Sequence, residues 1–448
     1  MSATRPSRPA ATSAAPDVAQ WQAASERVRV AHPELGWLGA ERDAALARVL
    51  SRGLPDVRQE DWRYTSLAEY STRSAQYLAA AEVAEAPASG ALPVGNAADA
   101  AVLSVEIVNG LLHTPVVATP PGLAVHSLRH AAPAVRSQGE VLLRAAATTE
   151  PDAAPNLVDL NTALLRDVVL ISVAAGARIE QPLHITLRSS APQWVAQPRL
   201  LVDLGATSSL TLILEHTGAA GALGNVVTQI ELAGEARLEL IRVQALPDDG
   251  MLTESTRLNL AAGSHAVVTS VDLGSRLSRQ DLTVLLTGRG AEATVQGVFL
   301  ADGHRHIDNH TRLEHGAPQT VSREYFRGIA DGHGRGVFNG KIIVQPGAAG
   351  SNAALTNRNL LLTTTAELDT KPELEIYADD VRCSHGATTG QLDASALFYL
   401  RSRGLDAAAA RQVLTTAFLR QGLNAISVPA LRARLDAQLQ TRLHGPAA

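Results

Sequence analysis

Alternating apolar and polar residues dominate the middle of the chain. Between about Val102 and Gln391, short runs place an apolar residue at every second position, as in Leu183, Ile185 and Leu187. Successive side chains of a β-strand point to opposite faces, so this period predicts strands with one buried face. Glycines end many of the runs, and most gaps are too short for a crossover helix. The pattern therefore predicts an all-β region and excludes a doubly wound α/β sheet.

The even spacing of the runs separates the possible β-architectures. A sandwich of this length normally divides into repeats of about 100 residues, and the sequence shows no such division. Evenly spaced short strands over residues 102–391 favour a β-helix. No hexapeptide repeat is present, so irregular coils are expected. A sandwich or a barrel stays open on periodicity alone.

Helical spacing marks both ends of the chain. Ala and Leu recur at helical intervals over residues 18–30 and 39–50, which predicts two N-terminal helices. Beyond the β-region, Asp393, Asp406 and Ser427 are each placed to cap a helix. The C-terminal helices are predicted over residues 394–403, 407–421 and 429–443. The predicted packing stripe on the second of them contains Val413, Leu414, Ala417 and Phe418.

These patterns divide the chain into four parts. Residues before Asp17 are rich in Ala, Ser, Pro and Arg and have no apolar amphipathic face, which favours a disordered tail over a transit peptide. The predicted parts are a disordered tail (1–16), an N-terminal helical region with a linker (17–101), a β-helix core (102–391) and a C-terminal helical domain (392–448).

Composition narrows the classes of partner. The 448 residues carry a formal net charge of -5 and 3% aromatic residues, which argues against nucleic acid, because that ligand needs a basic footprint and stacking aromatics. A single cysteine cannot form an internal disulfide and is typical of a reducing compartment, so a cytoplasmic location is expected. No run of about 18 apolar residues occurs, so no membrane span is expected.

The single cysteine lies at the junction between the β-region and the C-terminal helices. A strand is predicted to begin at about Pro372 and to end before Asp379 and Asp380, whose residue types favour a turn. Cys383 and His385 follow, and at positions i and i+2 of an extended segment they face the same way. They could grip one metal ion, but a zinc site takes about four ligands and an Fe–S cluster usually takes four thiolates. Either the site is shared across a subunit interface, or Cys383 is a buried small apolar residue.

Other polar and aromatic groups are weaker candidates for chemistry. The densest His/Asp cluster contains Asp302, His304, His306, Asp308, His310 and His315. Its first four members share strand parity, so they could line one face as metal ligands or form a solvated ladder without metal. Trp62, Arg63 and Tyr64 could bind a ligand or dock the N-terminal region onto its neighbour. The glycine-rich residues 332–336 lack the Walker order and precede a β-run, which predicts a turn instead of a phosphate loop.

The last third of the chain resembles a known family on specific motifs. The motifs are KPELEIYADDVRCSHGATTGQLDASALFYLRSRG (371–404), NRNLLL (357–362), GVFNGKIIV (336–344) and HIDNHTRLEH (306–315), with a fainter EDWRYTSL (60–67) near the start. They resemble the SufB/SufD family, the scaffold subunits of the SUF machine for iron–sulfur cluster assembly. Within that family the chain resembles the SufD branch, because CSHGATTGQ stands where SufB carries a different motif and because further cysteines are lacking.

The resemblance implies a right-handed parallel β-helix and a non-catalytic scaffold that supports cluster assembly and iron acquisition. It implies a heterodimer with a SufB-like paralogue through the β-helix and a SufC-like ABC ATPase bound through the C-terminal helices. It also implies that His385 lies at the interface where the cluster forms, so that His385 and Cys383 would share a metal with the partner subunit. No cofactor is then expected to stay on the isolated chain, and a transient Fe–S cluster or iron is expected at the interface with SufB.

Two functions from other classes stay open. A cytosolic β-helix enzyme acting on carbohydrate could use carboxylates, of which Asp302, Asp308, Asp379 and Asp380 are the candidates, but sugar-stacking aromatics and a secretion signal are missing. A purely structural capping protein would bind partners yet tolerate loss of His385. No Walker lysine, GxSxG or HExxH motif is present, so ATP hydrolysis by this chain is not expected.

Overall fold

The computed structural model describes residues 18–80, 102–113, 119–147 and 156–444. The predicted tail (1–16) and residues 81–101 of the predicted linker lie outside them. The helices are α1 (Val18–Ala31), α2 (Gly39–Arg52), α3 (Ala68–Ala80), α4 (Pro133–Ala147), α5 (Asn156–Ala163), α6 (Ala394–Ser402), α7 (Ala407–Leu423) and α8 (Pro429–His444), with short 3₁₀ helices at Pro33–Leu38 and Glu60–Trp62. None of the described helices is long and apolar enough to cross a membrane.

The strands follow in chain order. The N-terminal strands are β1 (Leu103–Val108), β2 (Leu111–Leu112), β3 (Leu123–Ser127), β4 (Val169–Val173), β5 (Leu183–Ser189), β6 (Val195–Ala196) and β7 (Arg199–Leu204). The later strands are β8 (Ser209–Gly218), β9 (Leu223–Leu232), β10 (Arg237–Gln244), β11 (Met251–Leu260), β12 (His265–Asp272), β13 (Leu277–Leu286), β14 (Glu292–Ala301), β15 (His306–His315), β16 (Val321–Ala330), β17 (Arg335–Val344), β18 (Asn352–Leu361), β19 (Glu367–Ile376) and β20 (Arg382–Gly390).

These strands build a parallel β-solenoid of about eight turns. Sheet A has the order β2-β1-β5-β8-β10-β12-β14-β16-β18-β20, and sheet B has the order β19-β17-β15-β13-β11-β9-β7-β4-β3, with β6 beside β9. From β8 onward, consecutive strands alternate between the two sheets, and each pairs in parallel with the strand one coil further on. The predicted mainly β fold, a parallel β-helix core with helices at both ends, is confirmed.

In-register pairing stacks equivalent side chains into columns along the solenoid interior. One inward column of sheet A contains Leu240, Val268, Val295, Glu324, Leu355 and His385. Glu324 is 0% exposed and accepts a hydrogen bond from Thr311, while its Oε2 atom has no partner. Burial raises the pKa of Glu324 to about 8, so this carboxyl is mainly uncharged at pH 7.

Aromatic rings fill the interior near the last coils. Phe326 and Phe338 face each other from the two sheets with ring centroids 4.8 Å apart. A Cβ atom at Gly328 would lie 2.0 Å from the ring of Phe299 on the preceding coil. Glycine is therefore required where this ring crosses the neighbouring strand.

A buried ionic cluster lies deeper in the solenoid. Arg242, Glu254 and Asp272 are each 1% exposed, and the guanidinium donates to both carboxylates, at 2.7 Å to Asp272. His216 lies 3.0 Å from the same carboxylate oxygen of Glu254. Burial alone would raise the pKa of Glu254, but Arg242 and His216 lower it to about 2. These charges are therefore held as pairs where water cannot screen them.

The stretch between β1 and β5 departs from the prediction of β-structure from Val102 onward. It contains α4 and α5, and the pairs β1–β2 and β3–β4 are antiparallel. Val135 and Leu142 of α4 pack with Leu128 and Leu170 near the first strands of sheet B. β1 does alternate, as Leu103, Val105 and Ile107 show, but apolar residues recur at helical spacing in the segments that form α4 and α5.

The C-terminal helices cover the outer face of sheet A. Ile241, Val271 and Val298 face outward and pack against Leu419 of α7 and Leu435 of α8. Asp393 and Asp406 accept backbone N–H groups at the starts of α6 and α7, which confirms the predicted caps. Ser427, by contrast, bonds Glu239 of β10 through both its backbone N–H and its hydroxyl, and α8 begins at Pro429.

The predicted packing stripe of α7 is only partly right. Val413 is 46% exposed and Ala417 is also exposed, whereas Thr415, Leu419 and Leu423 are buried. The hydroxyl of Thr415 bonds the backbone carbonyl of Arg411 at 3.0 Å, so its polarity is satisfied inside the helix. Ranking positions by side-chain polarity alone therefore misplaced the buried face.

Candidate functional site at the open end of the solenoid

The last coil leaves both sheets with a long edge strand. β19 pairs only with β17 and β20 only with β18, so their other edges are uncovered among the described residues. Most of β19 is half-buried and most of β20 is exposed, although β17 one coil earlier is mainly buried. Free N–H and C=O groups along strands of 10 and 9 residues form a template for pairing with another chain.

Pro372 lies within β19, so the prediction that it begins the strand is wrong. β19 starts at Glu367, whose N–H donates to Gly334 on the β17 side. In a parallel ladder alternate residues point their N–H groups to the same neighbour, so the nitrogen of Pro372 points to the open edge, where no ladder bond is lost. In the turn that follows, Asp380 has a φ of 55°, which confirms the predicted turn.

Cys383 and His385 lie on one side of β20. In the ladder they pair with Ala353 and Leu355, which are 1% and 2% exposed and face the solenoid interior. Cys383 is half-buried against this core, and burial raises the pKa of its thiol, so the uncharged form prevails at pH 7. His385 is exposed at the open end.

This pair supplies at most two metal ligands. Within the part of the chain that the structure describes, no group of three or more His, Cys, Asp or Glu side chains is arranged to hold a metal ion. A complete site at Cys383 and His385 would therefore need ligands from another chain or from water. The half-buried thiol of Cys383 is compatible with a small apolar residue that fills the core, and the exposed imidazole of His385 is compatible with a metal ligand shared with another chain. Metal binding by this pair therefore stays a prediction.

The predicted His/Asp cluster does not converge on one face. Asp302 and His304 lie at a coil corner, where the His304 ring stacks on His333 with 5.1 Å between centroids. His315 faces the interior, and burial lowers its pKa to about 4. The corner also holds Gly332 with a φ of 62°, so the turn predicted for residues 332–336 is confirmed at its first residues, whereas Arg335 and Gly336 already belong to β17.

The rest of the cluster fastens the N-terminal region to sheet B. Thr65 donates to Asp308 and lies 2.9 Å from Nε2 of His306. Arg279 donates to Asp308 at 2.8 Å, and its guanidinium carbon lies 3.6 Å from the ring centre of Trp62. Burial alone would raise the pKa of Asp308, but the neighbouring cationic groups hold it well below its usual range; burial lowers the pKa of His306 to about 4. The docking interpretation of Trp62 is therefore confirmed.

The carboxylates considered for sugar chemistry lie in different places. Asp302 bonds Arg305, Asp308 is buried in its ion pair, and Asp379 and Asp380 are adjacent at the turn after β19. Glycoside hydrolysis needs two carboxylates about 5–10 Å apart on either side of a bound sugar. Nothing among the described residues favours the carbohydrate alternative.

These features define a class of protein: a parallel β-solenoid with N-terminal helices packed on one sheet, C-terminal helices on the other, and one open end. Residues 187–418 match the family described as SUF system FeS cluster assembly, SufBD core domain, and residues 23–185 match the SufBD protein N-terminal region. The chain therefore belongs to the SufBD family.

Relatives align along most of the chain. An iron–sulfur cluster assembly SufBD family protein of Synechocystis sp. is 30% identical over 435 residues, which cover 92% of this chain and 93% of the relative. The iron–sulfur cluster assembly protein SufD of Escherichia coli is 31% identical over 412 residues, 90% of this chain and 92% of that protein. A SufBD family protein of Mycobacterium leprae is 27% identical over 288 residues, 62% and 72% of the two chains. The resemblance found in the motifs is confirmed.

Proposed function

We propose that this chain is a SufD-type scaffold subunit of a SUF iron–sulfur cluster assembly complex, working in the cytoplasm without catalytic activity of its own. The observation that carries the proposal is the open end, where two long edge strands lie beside Cys383 and His385. The family match and the 31% identity to Escherichia coli SufD support it. In this role the chain organises cluster assembly and iron acquisition.

A SufB-like paralogue adds its own strands to the edges of β19 and β20. Strand addition would satisfy the free backbone groups and bury the half-exposed last coil. Cys383 and His385 would then face the partner, which contributes the missing ligands. The transient cluster, or iron, is cargo held between the subunits. Binding needs the thiolate, so the raised pKa of Cys383 means that metal uptake releases a proton.

A SufC-like ABC ATPase binds through the C-terminal helices. No residue of α6 is buried, and Phe398 and Tyr399 are 75% and 56% exposed. Val413 of α7 is also 46% exposed, and these exposed apolar side chains are groups that a partner would cover. Movement of the ATPase during its cycle would reach the solenoid through α7, which packs on β14 and β16.

The first experiment is co-purification of the chain with its SufB-like and SufC-like partners, as wild type and as His385→Ala. The complex should form with both proteins, and the variant should lose most of its iron and sulfide. His113→Ala removes an exposed imidazole of the N-terminal strands and should keep the wild-type cluster content. Unchanged cluster content in His385→Ala would make the motif structural. Failure of the wild type to form any complex would refute the scaffold assignment.

A second experiment separates the two partners. Phe398→Asp should reduce recovery of the ATPase at least about tenfold, because a charge replaces an exposed apolar contact, and should leave the paralogue bound. Val57→Asp makes the same kind of change at a residue that is 49% exposed in the N-terminal region and should retain both partners. Undiminished ATPase recovery with Phe398→Asp would place the ATPase elsewhere.

A further inference from the structure

A part of sheet A beside α7 has only positively charged residues among its ionisable outward side chains. The outward positions of β16, β18 and β20 hold Arg323, Arg327, Arg358 and Arg382, which we call the arginine face. Tyr325, 45% exposed, lies between the first two. The intervening residues Ser322, Glu324 and Phe326 point into the solenoid and are buried.

The arginine face is not neutralised within the described residues. None of its four guanidinium groups forms an ion pair with a carboxylate there. Arg327 and Arg358 occupy the same register position on neighbouring strands, about 5 Å apart, where like charges repel. Burial, and then the charge of Arg358, lower the pKa of Arg327. Glu292 on the adjoining β14 is two register positions away from Arg323 and makes no ion pair with it.

Sheet B provides an internal comparison at the same coils. Its outward cations on β15, β17 and β19 are all paired. The pairs are Arg312–Glu314 at 2.9 Å, Arg335–Asp369 at 2.8 Å, Lys341–Glu375 at 2.6 Å and Lys371–Glu373 at 2.8 Å. The chain has 44 acidic residues against 39 basic ones, so carboxylates are not scarce. The unpaired arginines are therefore a local feature of sheet A, and the negative charges that complement them must come from another molecule.

We propose that the arginine face is the docking site for an acidic α-helix of a protein partner. Arg323 and Arg327 are four residues apart on one strand, which places them about 13 Å apart. Acidic side chains at positions i, i+4 and i+7 of a helix lie on one face and span this distance to within one helical turn. α7 already packs on the adjoining part of this face, and Phe418 lies 5.0 Å from the guanidinium carbon of Arg327. A second helix would therefore lie beside α7 at the usual spacing of about 8–10 Å, with Tyr325 as its apolar contact.

The features of the face favour a protein over a phosphate polymer. The chain carries a net charge of -5, so a long polyanion would be repelled beyond this small patch. A short acidic helix places its charge only where the arginines are. The exposed Tyr325 and the partly buried Phe418 beside them suit the mixed apolar and charged surface of a helix.

The test uses a fluorescein-labelled alanine-rich helical peptide of about 18 residues with glutamate at i, i+4, i+7 and i+11. Its binding to the full chain is followed by anisotropy from about 50 to 300 mM NaCl. The double variant Arg327→Glu/Arg358→Glu should weaken binding at least about tenfold. Arg327→Lys/Arg358→Lys keeps the charge but loses the stacking of Arg327 on Phe418, so its affinity should lie between those of the wild type and the charge reversal. Arg289→Glu, at an exposed coil corner, is the matched control and should bind like wild type.

Three results would overturn the proposal. The first is equal binding of the peptide to wild type and to the double charge reversal. The second is tighter binding of polyphosphate than of the acidic peptide, which would make the face a phosphate site. The third is self-association of the wild type that the charge reversal abolishes in sedimentation, which would make the occupant a second copy of this chain. The peptide assay needs neither SUF partner, so its result is independent of the co-purification.

Discussion

Replacing Glu324 by glutamine should stabilise the protein at pH 8 and change its stability little at pH 5. Burial raises the pKa of Glu324 from an ordinary 4.5 to about 8 in the folded protein. The folded state therefore binds this proton more tightly than the unfolded state does. The stability that the neutral carboxyl contributes is fully present below about pH 4.5 and is lost as the pH rises towards 8. Glutamine has the same shape and carries no charge at either pH.

The size of the effect follows from the pKa difference. Each pKa unit corresponds to about 1.4 kcal/mol, so the wild type should lose roughly 3 kcal/mol between pH 5 and pH 8 through this group alone. Urea unfolding of both proteins, followed by tryptophan fluorescence at several pH values, measures the difference directly. The two midpoints should nearly coincide at pH 5 and diverge in favour of the variant as the pH rises.

A matched control isolates the buried position. Glu292→Gln makes the same chemical change at an exposed outward position of β14 and should lack the large stabilisation at pH 8 that is expected at the buried position. A pH-independent difference for Glu324→Gln, or a variant that becomes less stable than wild type at pH 8, would refute the reasoning. It would mean that water or an unrecognised cation solvates the Glu324 carboxylate inside the solenoid.

Two further changes test the interior. Gly328→Ala should destabilise the protein by about 1–3 kcal/mol, because the added Cβ would meet the ring of Phe299. Gly386→Ala is the control and should be neutral, because a Cβ there would have nothing within 4 Å. Equal melting temperatures for the two variants would contradict this packing. Arg242→Met should lower the free energy of unfolding by about 3–5 kcal/mol, because Glu254 would stay buried without its strongest cationic partner. Urea unfolding measures this change, and an unchanged midpoint would count against the buried ion pair.

The β-solenoid was readable from the sequence because its strands repeat one physical pattern. Most inward positions are apolar or small, with exceptions such as Glu324 and His315, and glycine-containing corners recur between the strands. The caps Asp393 and Asp406 were equally readable, since a capping side chain bonds backbone N–H groups two or three residues away. The cap predicted at Ser427 did not hold, because its hydroxyl bonds Glu239 of β10 instead.

What the sequence could not reveal depends on neighbours that are distant along the chain. The buried side of α7 follows from the sheet beneath it, so Thr415 lies inside and Val413 outside. Pro372 is tolerated because β19 is an edge strand, and edges are a property of the assembled sheet. The alternation in VSREYFRGIA (321–330) does place Arg323, Tyr325 and Arg327 on one side. Whether those arginines form ion pairs depends on the residues of neighbouring strands about one coil away. The local sequence around the arginines does not show which residues those are.

Among the described residues, the two ends of the solenoid differ in the length of their edge strands. At the far end the edge strands are β2, with two residues, and β3, with five, and both are paired antiparallel to their neighbours. Such short edges offer little to an incoming strand, whereas β19 and β20 offer nearly their full length. In the proposed pairing, a rod with one adhesive end would close into a pair and could not grow into a filament. The backbone groups proposed to bind the partner would then also set the stoichiometry at two solenoids.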